Sequence, residues 1–379
     1  MLRGYTGTRT VLLTNFVPPY RVKLYQALRN RVAQLRILIS TLMEPDRTWA
    51  PNWDDLDVVI QKSKMFKLWY HHPLGFHYRS YLHVPLDTLS LLRQYDPDVV
   101  ISGEFGPRTL LAALHCRLVR PRCRLFIWAM LSEHTELGRS LIRRLLRNFL
   151  LSNADGVFVN GKSGFRYIRS FGFPEERIAI LNQPVDLSLF TKLTTERAAG
   201  DAYRLIYVGQ MIARKGLDLF QSALIDYAVS HSDRRIEMLW VGDGDLREKL
   251  QSVRGPENLD QHFLGSVPYN EVPALYLKAG IMVLPTLMDE WGLVVNEAMA
   301  AGLPVLGSIY SQAVEEMVKE GETGWKFVVR PDDMREAIER ALSTPLDRLS
   351  EMRRNARARA AAITFDEIAE RIAEAIRKQ

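Results

Sequence analysis

Two cysteines in 379 residues, Cys116 and Cys123, are too few for a disulfide framework. A reducing compartment, the cytoplasm, is the expectation. No uncharged apolar run reaches the roughly 18 residues a membrane-spanning helix needs, so none is expected. Met1-Leu2-Arg3-Gly4 leads straight towards a strand, unlike a signal peptide. Zinc-finger spacing and an RNA-recognition signature are both missing, so nucleic acid is not an expected partner. No glycine-rich fingerprint follows the first strand, which speaks against dinucleotide binding there.

Apolar material, by contrast, is ample. Hydrophobic residues make up 47% of the chain, enough for real cores, and the length favours two domains over one. Charge is divided unevenly. Residues 1–190 carry 26 Lys and Arg against 15 Asp and Glu, a net +11, while the rest carries 24 against 29, a net −5. The basic half suits anionic partners.

Apolar runs at 9–14, 35–39, 98–103, 124–128 and 155–160 read as strands, with a helix predicted over 22–31. A second series begins at 204–209 and continues at 236–242, 263–267 and 281–284. Strands alternating with helical segments predict doubly wound parallel sheets.

The most informative stretch is 289–302. The buried strand at 281–284 ends in Pro285, and helix formers after Gly292 stop at Gly302 and Pro304. A helix N-terminus offers unpaired N–H groups and a positive dipole end, which suits phosphate. Gly292 lets backbone approach a ligand closely. Asp289 and Glu297 only accept hydrogen bonds when ionised, and so suit hydroxyls. A nucleotide sugar would use all three parts. Equally, Glu297 could simply complement the helix dipole, and Asp289 could be a loop residue.

The run Trp291-Gly292-Leu293-Val294-Val295-Asn296-Glu297-Ala298-Met299-Ala300, with Asp289 eight positions before Glu297, resembles the acidic motif of retaining glycosyltransferases of family 4. Asp289 stands where the family usually has Glu. Lys215-Gly216 also matches the family, whereas Gln210 replaces its usual Arg after Gly209. The resemblance implies a GT-B architecture, with two α/β Rossmann-like domains facing a cleft. It implies an N-terminal acceptor-side domain at 1–187, a nucleotide-sugar domain at 188–361, and a helix at 362–379 crossing back onto the first.

The implied activity is metal-independent, retaining hexosyl transfer from a nucleotide-diphosphate sugar to a glycan or lipid-linked acceptor in cell-surface polysaccharide synthesis. The nucleotide sugar is a co-substrate, and no other cofactor is implied. Lys215, with Arg214 beside it, would hold the diphosphate. Glu297 would take the ribose and Asp289 the sugar. Gly209, Gln210, Val267, Trp291, Gly292, Leu293 and Val294 would complete the donor side. His134 is the candidate for the histidine lining the cleft near the transferred sugar, with Glu133 its rival. Tyr20 and Arg21, in a Pro-Pro-Tyr-Arg loop, and Glu104, at a strand end, would lie on the acceptor side. Two rivals share the fold: a non-catalytic partner subunit, or an epimerase or phosphorylase.

Three other features carry expectations. The four histidines of 62–85, among aromatics, fit no standard zinc site and read as an acceptor loop or a satellite cluster. Asp243-Gly244-Asp245 has the form of a metal motif but reads as a helix cap, and Asp55-Leu56-Asp57 is no more persuasive. Residues 139–151 read as an amphipathic helix, its stripe of Leu141, Ile142, Leu145, Leu146 and Phe149 packed inward and its arginines outward. Those arginines suit peripheral contact with anionic lipid on the cytoplasmic face of the membrane.

Overall fold

A computed structural model describes residues 7–45, 52–53 and 55–378. The Met1-Leu2-Arg3-Gly4 start lies outside them. The chain divides into two compact units, 1–184 with 364–379, and 185–363.

The first unit holds β1 (Arg9–Thr14), β2 (Gln34–Ile39), β3 (Asp57–Ile60), β4 (Ser63–His71), β5 (His77–Pro85), β6 (Val99–Gly103), β7 (Arg124–Ala129), β8 (Gly156–Val159) and β9 (Ile178–Ile180). Seven of these make a parallel sheet in the order β3-β2-β1-β6-β7-β8-β9. Its central strands are predominantly apolar because helices cover both faces: every residue of β6 and β8 is buried. The Phe365–Lys378 helix packs on this unit through Ile368, Ile372 and Ile376. Arg31 ties it down through Asp366 and Glu370.

The second unit holds β10 (Leu205–Val208), β11 (Ile236–Val241), β12 (Leu259–Gly265), β13 (Ile281–Leu284), β14 (Val305–Ser308) and β15 (Gly324–Phe327). They form a parallel sheet in the order β12-β11-β10-β13-β14-β15. Trp240 stacks on Phe263, and Tyr207 meets the Trp240 ring at a tilt. Each unit is therefore a Rossmann-like layer structure.

Two expectations need correction. The 62–85 stretch is a hairpin rather than a loop, although His72, Phe76, Tyr81 and His83 are buried, as a satellite cluster would be. β4 and β5 pair antiparallel from Ser63↔Pro85 to His71↔His77. Side chains on β5 alternate outward and inward, the period of a strand. The second correction concerns the Leu141–Ser152 helix, most of whose apolar stripe faces outward, Leu146 alone of the stripe packing on the core. Leu141, Ile142, Leu145 and Phe149 are 71%, 79%, 61% and 52% exposed, whereas Arg147 is buried. The reason is local pairing: Arg147 meets Glu136 and donates 2.6 Å to the Tyr167 hydroxyl, and Arg143 donates 2.5 Å to that of Tyr70. Among the described residues no helix is long and apolar enough to cross a membrane.

Candidate functional site

In a doubly wound sheet, ligands bind where strand order switches, outside the C-terminal strand ends. In the second unit the switch lies between β10 and β13. The two loops expected to carry the donor site follow those strands.

The loop after β10 ends at Gly216, with φ 63°, and opens the Leu217–Ser230 helix. A Cβ there would fall 2.4 Å from the Pro285 carbonyl oxygen, so this glycine lets the two loops touch. Leu287 N–H donates 2.9 Å to the Arg214 carbonyl, and Thr286 Oγ1 donates to it at 3.2 Å. The loop after β13 ends at Gly292, with φ 110°, which opens the Leu293–Ala300 helix. A Cβ there would lie 2.9 Å from Ser311 Oγ.

These contacts bring charges together. Lys215 Nζ forms a close ion pair with Asp289 Oδ2. Arg214 stands 3.9 Å from Asp289 Oδ1 and donates at 3.5 Å to the Met288 carbonyl. Burial alone would raise the Asp289 pKa, but Lys215 and Arg214 outweigh it and hold the carboxyl below its ordinary value. Burial pulls Lys215 down despite Asp289. Asp289 N–H donates 3.1 Å to the Tyr310 carbonyl, which fixes the loop to the one after β14.

Glu297 lies on the buried face of its helix, 6% exposed. Its carboxylate accepts 2.9 Å from the Tyr269 hydroxyl, and burial pushes its pKa up to about 7. The Tyr269 hydrogen bond offsets only part of that rise, and among the described residues no cation pairs with the carboxylate. A carboxyl without a counter-charge fits an acceptor for neutral hydroxyls better than a dipole partner. Trp291 is buried, with Nε1 donating 2.8 Å to Asn296 Oδ1. Leu293 and Val294 begin the helix, and Val267 packs half-buried on the core. Gln210 is exposed just after Gly209, and its carbonyl accepts 2.7 Å from Tyr207. Arg214 is turned to the Asp289 loop rather than to Gln210. Asp243 has both oxygens engaged, Oδ1 by Gly244 N–H at 2.8 Å and Oδ2 by Arg247 at 3.0 Å.

In the first unit the switch lies between β1 and β6. Glu104, just beyond β6, has φ 69°, uncommon for a residue with a side chain. Asn15 Nδ2 donates to both Glu104 and Glu44 at 3.4 Å. Arg108 donates 2.6 Å to Asn15 Oδ1 and 2.8 Å to Ser40 Oγ. His83 Nε2 lies 3.2 Å from Glu44. Glu104 is exposed to solvent, yet the protein crowded around it raises its pKa, Arg108 pulls it back, and Glu44 adds to the rise.

Arg21 is buried, its guanidinium 4.8 Å over the Trp128 ring, so Tyr20, 36% exposed, is the surface residue of that loop. His134 is half-buried, and its carbonyl oxygen lies 3.0 Å from His72 Nε2. Its rival Glu133 is committed to Arg166 and Ser163. Sequence reasoning missed Tyr269 and Glu44, neither of which sits in a recognisable spacing with its partner, Glu297 in one case and His83 in the other.

The family model described as Glycosyltransferase Family 4 matches residues 20–189, and that described as Glycosyl transferases group 1 matches residues 193–359. An uncharacterized glycosyltransferase, MJ1607, of Methanocaldococcus jannaschii is 26% identical over 46% of this chain and 47% of its own length. The D-inositol 3-phosphate glycosyltransferase of Corynebacterium aurimucosum is 28% identical over 48% of this chain and 47% of its own. The chain spans about half the length of the curated relatives it matches. Among solved structures, Anabaena Alr3699/HepE in complex with UDP superposes with a TM-score of 0.69 at 14% identity, covering 98% of this chain and 100% of that one.

Proposed function

The chain belongs to the group 1, family 4 glycosyltransferases, and from that premise we propose that it moves a sugar, with retention, from a nucleotide-diphosphate sugar to a hydroxyl of a glycan or lipid-linked acceptor. The observation that carries this reading is the pairing of two chemistries at one strand switch: a cationic loop at Lys215 and Arg214, and a buried, uncompensated carboxyl at Glu297. The first suits a diphosphate and the second a ribose diol. That Alr3699/HepE is solved in complex with UDP supports a nucleoside diphosphate as the ligand class.

In this proposal the leaving diphosphate gathers negative charge as the glycosidic bond breaks. Lys215, Arg214 and the start of the Leu293–Ala300 helix stabilise that charge where it forms. The sugar becomes oxocarbenium-like, as in glycoside hydrolysis. Asp289 is poised to take a sugar hydroxyl while it holds Lys215 in place. The charge work is thus assigned to the protein, and neither a metal nor a cofactor is given a part. Tyr20 and Glu104 are assigned to the acceptor side and His134 to the transferred sugar. A place in cell-surface polysaccharide assembly, at the cytoplasmic face of the membrane, completes the proposal.

Nucleotide release from a panel of nucleotide sugars, with and without acceptors, tests it. Acceptor-dependent release with the anomeric configuration kept is expected. Isomerised donor without acceptor would indicate an epimerase, and dependence on inorganic phosphate a phosphorylase.

A further inference from the structure

Next to the Leu141–Ser152 helix is a cavity of about 330 Å³, lined by Tyr70, His71, Tyr78, Arg139, Ser140 and Arg143 among others. Hairpin and helix are locked around it. Gly138 sits so close to the hairpin turn that a Cβ would fall 2.6 Å from Pro73 Cγ, and His72 bonds the His134 carbonyl beside it. Inside, Arg139 donates to the Tyr78 hydroxyl and lies 4.3 Å over the Tyr70 ring, while Arg143 donates 2.5 Å to the Tyr70 hydroxyl. Arg139 Nε is buried without a hydrogen bond, 3.6 Å from Glu136. Glu136 in turn is taken by Arg147. From 136 to 147 four arginines face one glutamate, so the surroundings keep a positive excess.

The rim is apolar. Leu137 lines the cavity and is 45% exposed, and Leu141, Ile142, Leu145 and Phe149 continue outward along one helix face. Helical spacing of large exposed apolar side chains, flanked by Arg144, is the pattern of a helix lying in a membrane interface. Two guanidiniums and a helix start at the inner end of that face are the pattern of a phosphate seat.

We propose that this cavity seats the phosphate of an anionic lipid headgroup while the Leu141–Phe149 face enters the bilayer. The expected contact was a basic face on lipid; here the apolar face enters and the arginines receive the headgroup. The inference builds on the proposed lipid-linked acceptor, because the cavity adjoins the loop that carries His134. Arg143 also acts on the charge of Glu104, so the seat lies within electrostatic reach of the acceptor side.

The test is co-sedimentation of the full chain with vesicles of phosphatidylcholine alone, or of phosphatidylcholine with phosphatidic acid. Wild type should prefer the phosphatidic acid vesicles by about tenfold or more. The preference should fade as salt rises from about 0.1 M to about 1 M, where screening shortens from about 10 Å to about 3 Å. Arg143→Gln should lose the preference, with Tyr70→Phe, which keeps the ring, losing part of it. Leu141→Ser/Ile142→Ser/Leu145→Ser changes only exposed side chains and should lose binding to both vesicles with its circular dichroism unchanged. Equal binding to the two vesicle types, or an Arg143→Gln protein identical to wild type, overturns the proposal. So does a thermal shift with inorganic phosphate that Arg143→Gln abolishes while no vesicle binds, since the seat would then serve free phosphate. A wild-type dimer that the triple serine variant dissolves, without vesicle binding, would give the face to a second copy. No sugar donor enters this assay: vesicle binding without nucleotide release would refute transfer and leave the headgroup seat standing, and the reverse result would do the opposite.

Discussion

Asp289→Asn removes one charge from the Lys215–Asp289 pair and keeps the shape of the side chain. Lys215 and Asp289 are 12% and 14% exposed, so the pair is neither a surface bridge nor a dry one. Exposed bridges contribute about 0–1 kcal/mol. Breaking a fully buried one costs about 3–5 kcal/mol. About 2 kcal/mol lies between, in the range of a hydrogen bond to a charged group. For a unit the size of 185–363 that is a fall of about 4–8 °C in its Tm. The pH dependence follows from the depressed Asp289 pKa. Its contribution is present above the unfolded value of about 3.9 and is lost as pH falls through the folded value, so the gap between variant and wild type should close in acid. Nucleoside diphosphate should then raise the variant's Tm more than wild type's, because Lys215 no longer shares itself with a carboxylate. The assay is differential scanning fluorimetry across pH, with and without ligand. A variant within about 1 °C of wild type at neutral pH would refute the reasoning. So would equal ligand shifts.

Four further outcomes are expected. Glu297 is pushed up to about 7, so if its ionised form receives the ribose, nucleotide affinity should climb up to about tenfold per pH unit below that value and level off above it; calorimetry of Glu297→Gln should show a flat profile. The same raised pKa costs stability as pH rises from about 4.3, so Glu297→Gln should gain on wild type at pH above 7 and not in acid. Gly216→Ala forces a Cβ to within 2.4 Å of Pro285 O at φ 63°, and should cost about 1–3 kcal/mol in denaturant titrations and weaken nucleotide binding. Transfer should persist in chelator; activity that vanishes in EDTA and returns with manganese would hand the charge work to Asp243 and Asp245.

How much was legible depended on whether partners were near in sequence. β1, β6 and β13 were readable because strands covered on both faces carry a continuous apolar run, at 11–13, 99–101 and 281–284. Gly292 was readable as a point of close backbone approach and Gly216 from its place in the Lys215-Gly216 pair, and both have positive φ. The Leu141–Ser152 helix shows the limit. Periodicity marks an apolar stripe and a basic one, but not which turns inward. Here Glu136, Tyr167 and Tyr70 draw the arginines inward, and two of these lie on other elements. The hairpin was obscured because its aromatics and histidines resemble a binding loop in composition, while its register is set only by pairing. Lys215 and Asp289 were each singled out, yet assigned to different parts of the ligand, because a separation of 74 positions conceals that they touch. Tyr269 stands 28 residues before Glu297, in no spacing that announces a hydrogen bond.

The central claim is that the β10–β13 crevice is a nucleoside diphosphate site in which Lys215 holds the phosphates and Glu297 the ribose. Isothermal titration of UDP, GDP and ADP into wild type, Lys215→Ala and Glu297→Ala tests it most directly. One nucleotide should bind wild type, and each variant should weaken it by roughly 10- to 150-fold, the equivalent of losing a charged hydrogen bond of about 1.5–3 kcal/mol. Binding of no nucleotide, or binding that both variants retain at wild-type affinity, would contradict it.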